Sequence, residues 1–136
     1  MDPRKIDDDI SVAPQIQPED VAEAARLGFK TLIANRPDHE EMGQPEMDEI
    51  AALAREHGLD WIYQPVQSGN IQDQDVEAFG HHYRDAQKPV LAFCRSGTRC
   101  CALWALSHAG ELPADIILLK ALNAGYDLSG LKYRLL

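Results

Sequence analysis

Short apolar runs alternate with amphipathic stretches along most of this 136-residue chain. Phe29–Ala34, Asp60–Val66 and Val90–Phe93 read as strands, the last as the most buried, with Ile10–Val12 as a short first strand. Gln17-Pro18-Glu19-Asp20 opens a helix that carries Val21, Ala24, Ala25 and Leu27 and stops at Gly28. Pro45 opens a second helix, through Ile50 and Leu53 towards His57, and Gly58 ends it. Asp73 is placed as the N-cap of a third, with Val76, Phe79 and Tyr83 on its apolar face. A fourth follows Gly97 to about Ala109, and two further helical pieces fill Pro113–Asn123 and Asp127–Tyr133. Met1–Asp9 is polar and is expected to be loose, leaving residues 10–136 as the folded domain. The alternation predicts a single α/β domain: a central, mostly parallel sheet of four or five strands with helices on both faces. Ligands of such sheets bind beyond the carboxyl ends of the strands, where the Cys94, Gln67 and Asn35–Glu41 loops fall.

Composition changes this picture little, and charge changes it more. The formal net charge is -9, a poor match to nucleic acid or to an anionic membrane surface, so neither is expected as a partner. Local cations therefore stand out. The three cysteines, Cys94, Cys100 and Cys101, do not read as a disulfide framework. Reduced thiols, no apolar signal segment at Met1–Asp9 and no run of ~18 apolar residues make the cytoplasm the expected location. No Cys-x2-Cys or His-x-His spacing occurs, and the adjacent His81 and His82 do not share a helix face, so no metal and no other cofactor is expected.

Chemistry concentrates in Cys94-Arg95-Ser96-Gly97-Thr98-Arg99. A cysteine at the end of a buried strand, before a glycine-containing turn and a helix N-terminus, faces successive backbone N–H groups. Positive potential there favours the thiolate. Gly97 permits backbone angles closed to other residues, Ser96 and Thr98 add hydroxyls, and Arg99 supplies a planar fork matched to a tetrahedral oxyanion. Cys94 and Arg99 are thus the candidate catalytic pair, with Arg95, Ser96, Gly97 and Thr98 as the anion-binding loop. Arg36, at the end of a neighbouring strand, is either a rim residue or part of a surface salt bridge. Cys100 is expected to pack the helix, or to form a disulfide with Cys94 on oxidation.

Nearly the whole chain resembles the phosphatase-like domain of beta-lactamase-hydrolase-like proteins, a relative of cysteine-dependent dual-specificity phosphatases. The resemblance runs through Ile10-Ser11-Val12 with Gln15, Gly28–Ile33 with Asn35-Arg36-Pro37-Asp38 and Glu41, Pro65-Val66, the Cys94–Arg99 loop and Ala124-Gly125-Tyr126-Asp127-Leu128. It implies a protein-tyrosine-phosphatase-like fold and a cysteinyl-phosphate mechanism, with Cys94 attacking phosphorus while Arg99 and the loop amides hold the oxygens. The sequence departs from the wider phosphatase pattern in three places. Four residues, not five, separate Cys94 from Arg99, so Cys100 stands where the longer loop has arginine. Phe93 replaces the usual preceding histidine. The segment that normally supplies a general-acid aspartate reads Pro65-Val66-Gln67-Ser68-Gly69-Asn70, leaving Asp73 and Asp75 as candidate acids or helix-capping residues.

The same short loop, Cys-Arg-Ser-Gly-x-Arg, is similar to that of rhodanese-type sulfurtransferases, whose cysteine carries a persulfide. The sequence thus supports three functions: hydrolysis of phosphate monoesters, sulfur transfer or persulfide handling on the same cysteine, and non-catalytic binding of a phosphorylated ligand. The expected partner is a phosphate- or sulfur-bearing substrate, and the oligomeric state is left open.

Overall fold

The computed structural model describes all 136 residues. Five strands, β1 (Arg4–Asp7), β2 (Ile10–Ala13), β3 (Thr31–Ala34), β4 (Asp60–Tyr63) and β5 (Val90–Phe93), form one sheet in the order β1-β2-β5-β3-β4. β2, β5, β3 and β4 run parallel, and β1 pairs antiparallel with β2. Six helices surround it: α1 (Asp20–Arg26), α2 (Met47–Glu56), α3 (Asp73–Asp85), α4 (Thr98–Ser107), α5 (Ala114–Asn123) and α6 (Lys132–Leu135), the last preceded by a 3-10 turn over Ser129–Leu131.

β5 is central, and its four residues are all fully buried. Alternation along a strand sends successive side chains to opposite faces. Val90 and Ala92 join a core with Phe79 of α3, Leu103 and Trp104 of α4 and Ile117 of α5. Leu91 and Phe93 join a second core with Val21 and Ala24 of α1 and Ile50 and Ala54 of α2. A strand covered on both faces has to be apolar throughout, which is why Val-Leu-Ala-Phe stands out in the sequence.

Several boundaries differ from the sequence expectation: β3 starts at Thr31 rather than Phe29, and the helix expected over Asp127–Tyr133 is the 3-10 turn followed by α6. The N-terminus is not loose throughout, because Arg4–Asp7 forms β1, with Ile6 buried in the first core. Its polar composition hides it, since the pairing with β2 is what makes it a strand. β4 ends at Tyr63 rather than Val66. Pro65 lies where the edge strand's N–H would point outward, and its neighbours still bond towards β3: the Gln64 N–H donates to the Ala34 carbonyl (2.9 Å) and the Val66 N–H to the Asn35 carbonyl (3.0 Å).

The registers pair Ala13 and Ala34 with Phe93, so β2, β3 and β5 end level. The segments that follow, Pro14–Gln17, Asn35–Glu46 and Cys94–Gly97, converge at one edge.

Candidate active site

Cys94 leaves β5 with its N–H still bonded to the Ala13 carbonyl (3.3 Å), so the position of its sulfur is fixed by the sheet. Gly97, at φ 91°, turns the chain into α4. Its N–H donates to Cys94 Sγ at 3.1 Å. A Cβ at this position would sit 2.1 Å from the Tyr126 hydroxyl, so both the conformation and the space require glycine. Tyr126 donates in turn to the Ser96 carbonyl (3.0 Å), and the Gln15 N–H donates to the Arg95 carbonyl (3.2 Å). The loop is therefore held at several points before any ligand arrives.

Cys94 exposes none of its surface. The sulfur lies at the floor of the loop, deeper than a nucleophile at an open mouth. Its thiol is nonetheless pulled down from 9.0 to about 6. The first cause is the hydrogen bond from the Cys100 side chain. Burial works against ionisation, and the Cys100 N–H, the charge of Arg99 and the Gly97 N–H outweigh it. Cys100 moves the other way: fully buried beside a thiolate, its own thiol is held well above the ordinary range. A neutral thiol at position 100 thus helps to keep the one at position 94 charged.

Arg99 is buried and turned inward. Nη1 donates to Glu40 Oε2 (2.7 Å) and to the Val66 carbonyl (3.0 Å), and Nη2 donates to Glu40 Oε1 (2.9 Å). This bidentate pairing fixes the guanidinium plane. It leaves the Nε–H and one Nη2–H unclaimed, which are the donors available to an anion in the loop.

Glu40 is the residue that sequence reasoning misses. It joins Arg99 to Arg36, whose side chain is 4% exposed. Arg36 donates through Nε to Glu40 (2.9 Å), through Nη1 to Gln15 (3.2 Å) and through Nη2 to Glu41 (3.4 Å). The hydrogen bond from Arg99, then that from Arg36, holds the Glu40 carboxyl below the usual range against the cost of its burial. In the sequence, Glu40-Glu41 reads only as the end of the polar Asn35–Glu41 loop. The available signal is Arg36 itself, because an arginine two residues past a buried strand calls for a carboxylate nearby.

The remaining candidates divide. Arg95 stays exposed, 3.5 Å from Glu41. Ser96 Oγ donates to Thr98 Oγ1 (3.0 Å), and both hydroxyls border open space. Two concavities meet at the loop. A polar one of about 400 Å³ is lined by Arg36, Glu40, Glu41, Gln67, Ser68, Arg95 and Arg99. A larger cleft of about 690 Å³ is lined by Arg95, Ser96, Thr98 and Arg99 of the loop together with Ile71, Ala102, Leu128 and Leu131. Neither Asp73 nor Asp75 lines either one. Asp73 pairs with Arg134 (3.2 Å) at the first helical position of α3, whose N-cap is Gln72 rather than Asp73. Asp75 accepts the Gln72 N–H (2.9 Å) in a capping box.

A sequence model of the family described as "Beta-lactamase hydrolase-like protein, phosphatase-like domain" matches residues 2–111. A beta-lactamase hydrolase-like protein of Agrobacterium fabrum is 34% identical over 126 residues, which are 91% of this chain and 29% of that protein. The chain thus spans under a third of the length of the curated relatives it matches. A crystal structure from Neisseria meningitidis, provisionally described as a phosphatase, is similar with a TM-score of 0.86 and 41% identity, covering 96% of this chain and 94% of that one. A cysteine-to-serine variant of TpbA from P. aeruginosa, solved in complex with pTyr, shares the fold with a TM-score of 0.63 and 16% identity, covering 95% of this chain and 86% of its own. The fold is protein-tyrosine-phosphatase-like, and the chain belongs to the phosphatase-like domain family of beta-lactamase hydrolase-like proteins.

Proposed function

We propose that this domain is a cysteine-dependent phosphatase-like hydrolase of phosphate monoesters. One observation carries the reading. The Cys94 sulfur receives the Gly97 N–H inside a loop bordered by an arginine that Glu40 holds by two oxygens. A thiolate and an anion cradle share one turn of chain.

In the proposed reaction the phosphoryl oxygens lie against the loop amides and the free Arg99 donors. The Cys94 thiolate attacks phosphorus, the bond to the ester oxygen breaks, and that oxygen leaves with the electron pair. Water then attacks the cysteinyl phosphate, releasing inorganic phosphate and restoring the thiolate. The leaving oxygen needs a proton unless it is a weak base. Asp73 and Asp75 are committed to Arg134 and to the α3 cap, and Glu40 is held ionised between two arginines. General acid catalysis contributes about 10²–10⁴-fold where it operates. The reading therefore favours esters whose leaving group is already a weak base, aryl esters above alkyl ones.

A second reading has its own support. The six-residue loop is one residue tighter than the usual phosphatase loop, and neither candidate acid, Asp73 or Asp75, lines the concavities beside it. Sulfur transfer needs no such acid. The thiolate would attack the sulfane sulfur of thiosulfate, expel sulfite, and pass the sulfur from its persulfide to a thiophilic acceptor. A paired assay separates the two readings. Cys94-dependent turnover of an aryl phosphate but not of thiosulfate, abolished in Cys94→Ser, is the expected result. Cys94-dependent turnover of thiosulfate alone overturns the phosphatase reading in favour of the second. Binding of phosphate without turnover of either would leave only a binding module.

A further inference from the structure

The stretch Ala124-Gly125-Tyr126-Asp127-Leu128 supplies no reacting group, yet it is built onto the Cys94 loop. Tyr126 supports the loop at Ser96 and Gly97, and the next two residues, Asp127 and Leu128, line the large cleft. That cleft is far bigger than a phosphoryl group or a sulfur atom, and its size is that of a small-molecule site. Its apolar lining is Ile71, Ala102, Leu128 and Leu131, beside Ser68, Gly69 and Gly130. Arg134 fixes the Ile71 side by donating to the Ile71 carbonyl at 3.1 Å.

Charges of both signs line the same cleft: Arg95 and Arg99 from the loop and the exposed Asp127 from the segment after Tyr126. Three carboxylates line the two concavities: Glu40, Glu41 and Asp127. Glu40 is paired with Arg36 and Arg99, and Glu41 with Arg36 and Arg95. Asp127 has no cationic partner. It is exposed and accepts the Ser129 N–H (3.0 Å), and its bonds from the Ser129 backbone and side chain hold its carboxyl below the usual range. A carboxylate with no cationic partner, lining the same cleft as two arginines and four apolar side chains, is complementary to a ligand that carries both an anionic and a cationic group.

We propose that Asp127 reads a cationic group on the substrate, so that the domain takes zwitterionic compounds. The anionic head lies in the Cys94 loop, a compact apolar spacer lies against Ile71, Leu128 and Leu131, and an ammonium faces Asp127. This rests on the Cys94 loop binding a phosphoryl group, as proposed above.

The test is calorimetric titration of the Cys94→Ser protein with phenyl phosphate, tyramine O-phosphate and N-acetyltyramine O-phosphate. The last two differ in the ammonium charge and the acetyl group that removes it. The expected result is that tyramine O-phosphate binds about fivefold more tightly than its acetylated form, an advantage that shrinks as salt is raised. Asp127→Asn keeps an oxygen for the Ser129 N–H and removes only the charge. In that variant the two affinities should converge while that of phenyl phosphate stays unchanged. Equal affinities in the parent, or an equal fall for all three ligands in Asp127→Asn, overturns the assignment of Asp127 and leaves the phosphatase reading standing. Failure of phenyl phosphate itself to bind overturns both.

Discussion

At the scale of single residues, the site turns on a sulfur that is both sealed and charged. Burial alone would raise its pKa, so the depression to about 6 measures the strength of the donors around it. Ultraviolet thiolate absorbance, taken as the difference between the parent and Cys94→Ser, should inflect near pH 6. Cys100→Ala removes the first of those donors and should move the inflection upward, while Cys100→Ser keeps a hydroxyl donor and should move it less. An inflection that ignores both substitutions would assign the acidity to Arg99 and the loop amides instead. Glu40 acts one step further out, by aiming Arg99. Glu40→Gln retains one acceptor oxygen but loses the charge and the second oxygen. We expect a loss of about 10- to 100-fold in kcat/KM for an aryl phosphate, in line with the cost of misplacing a catalytic group, with the Cys94 inflection little changed. Unaltered kinetics in Glu40→Gln would show that the Val66 carbonyl suffices to orient the guanidinium.

At the scale of elements, the Cys94–Gly97 turn between β5 and α4 is clamped by a residue 30 positions away in the chain, through Tyr126 to Ser96. Gly97→Ala brings a Cβ against Tyr126 and against the Ala13 backbone (3.3 Å), at a φ that side chains resist. It should destabilise the fold by about 1–3 kcal/mol in denaturant unfolding. Tyr126→Phe alone should cost about 1 kcal/mol, as one hydrogen bond does. The double variant should remain well below the Tyr126→Phe level, because removing the hydroxyl leaves the ring carbon 2.9 Å from the new Cβ as well as the backbone strain. Full recovery would mean that the clash with the hydroxyl alone requires glycine. The difference in what the sequence revealed follows from the same geometry. β5, the Cys94 loop and α4 are written contiguously, as an apolar run, a turn signal and a second apolar run, so their roles were legible. The Glu40–Arg99 pair and the Tyr126 support join residues 59 and 30 positions apart, and no contiguous pattern links their partners. β1 was hidden for a similar reason, since its pairing partner rather than its own pattern makes it a strand. Asp73 and Asp75 had two readings that only the position of α3 could separate, and Arg134 and the Gln72 N–H occupy them both.

At the scale of the whole molecule, the site gathers residues from almost every connection on one sheet edge: Gln15, Arg36, Glu40, Val66, the Cys94 loop and Tyr126. Losing the folded state disperses all the donors that stabilise the Cys94 thiolate. The ionisation of one thiol is therefore coupled to the stability of the domain. In the unfolded chain Cys94 returns to its ordinary value near 9, while in the native state it titrates at about 6. Between those limits the unfolded state binds the extra proton, so stability rises with pH. Below pH 6 both states are protonated and the contribution vanishes. Cys100 and Cys101, whose thiols burial pushes upward, act in the opposite sense above pH 9, where unfolding lets them ionise. They remain in Cys94→Ser, so subtracting that variant largely removes them. The stability of the parent minus that of Cys94→Ser should therefore climb between pH 6 and pH 9 by an amount on the order of a few kcal/mol. Chemical denaturation of both proteins across that range reads it directly. A difference that stays level would mean that Cys94 enters the fold as a neutral thiol, and a nucleophile that is neutral at rest would have to be ionised by its substrate.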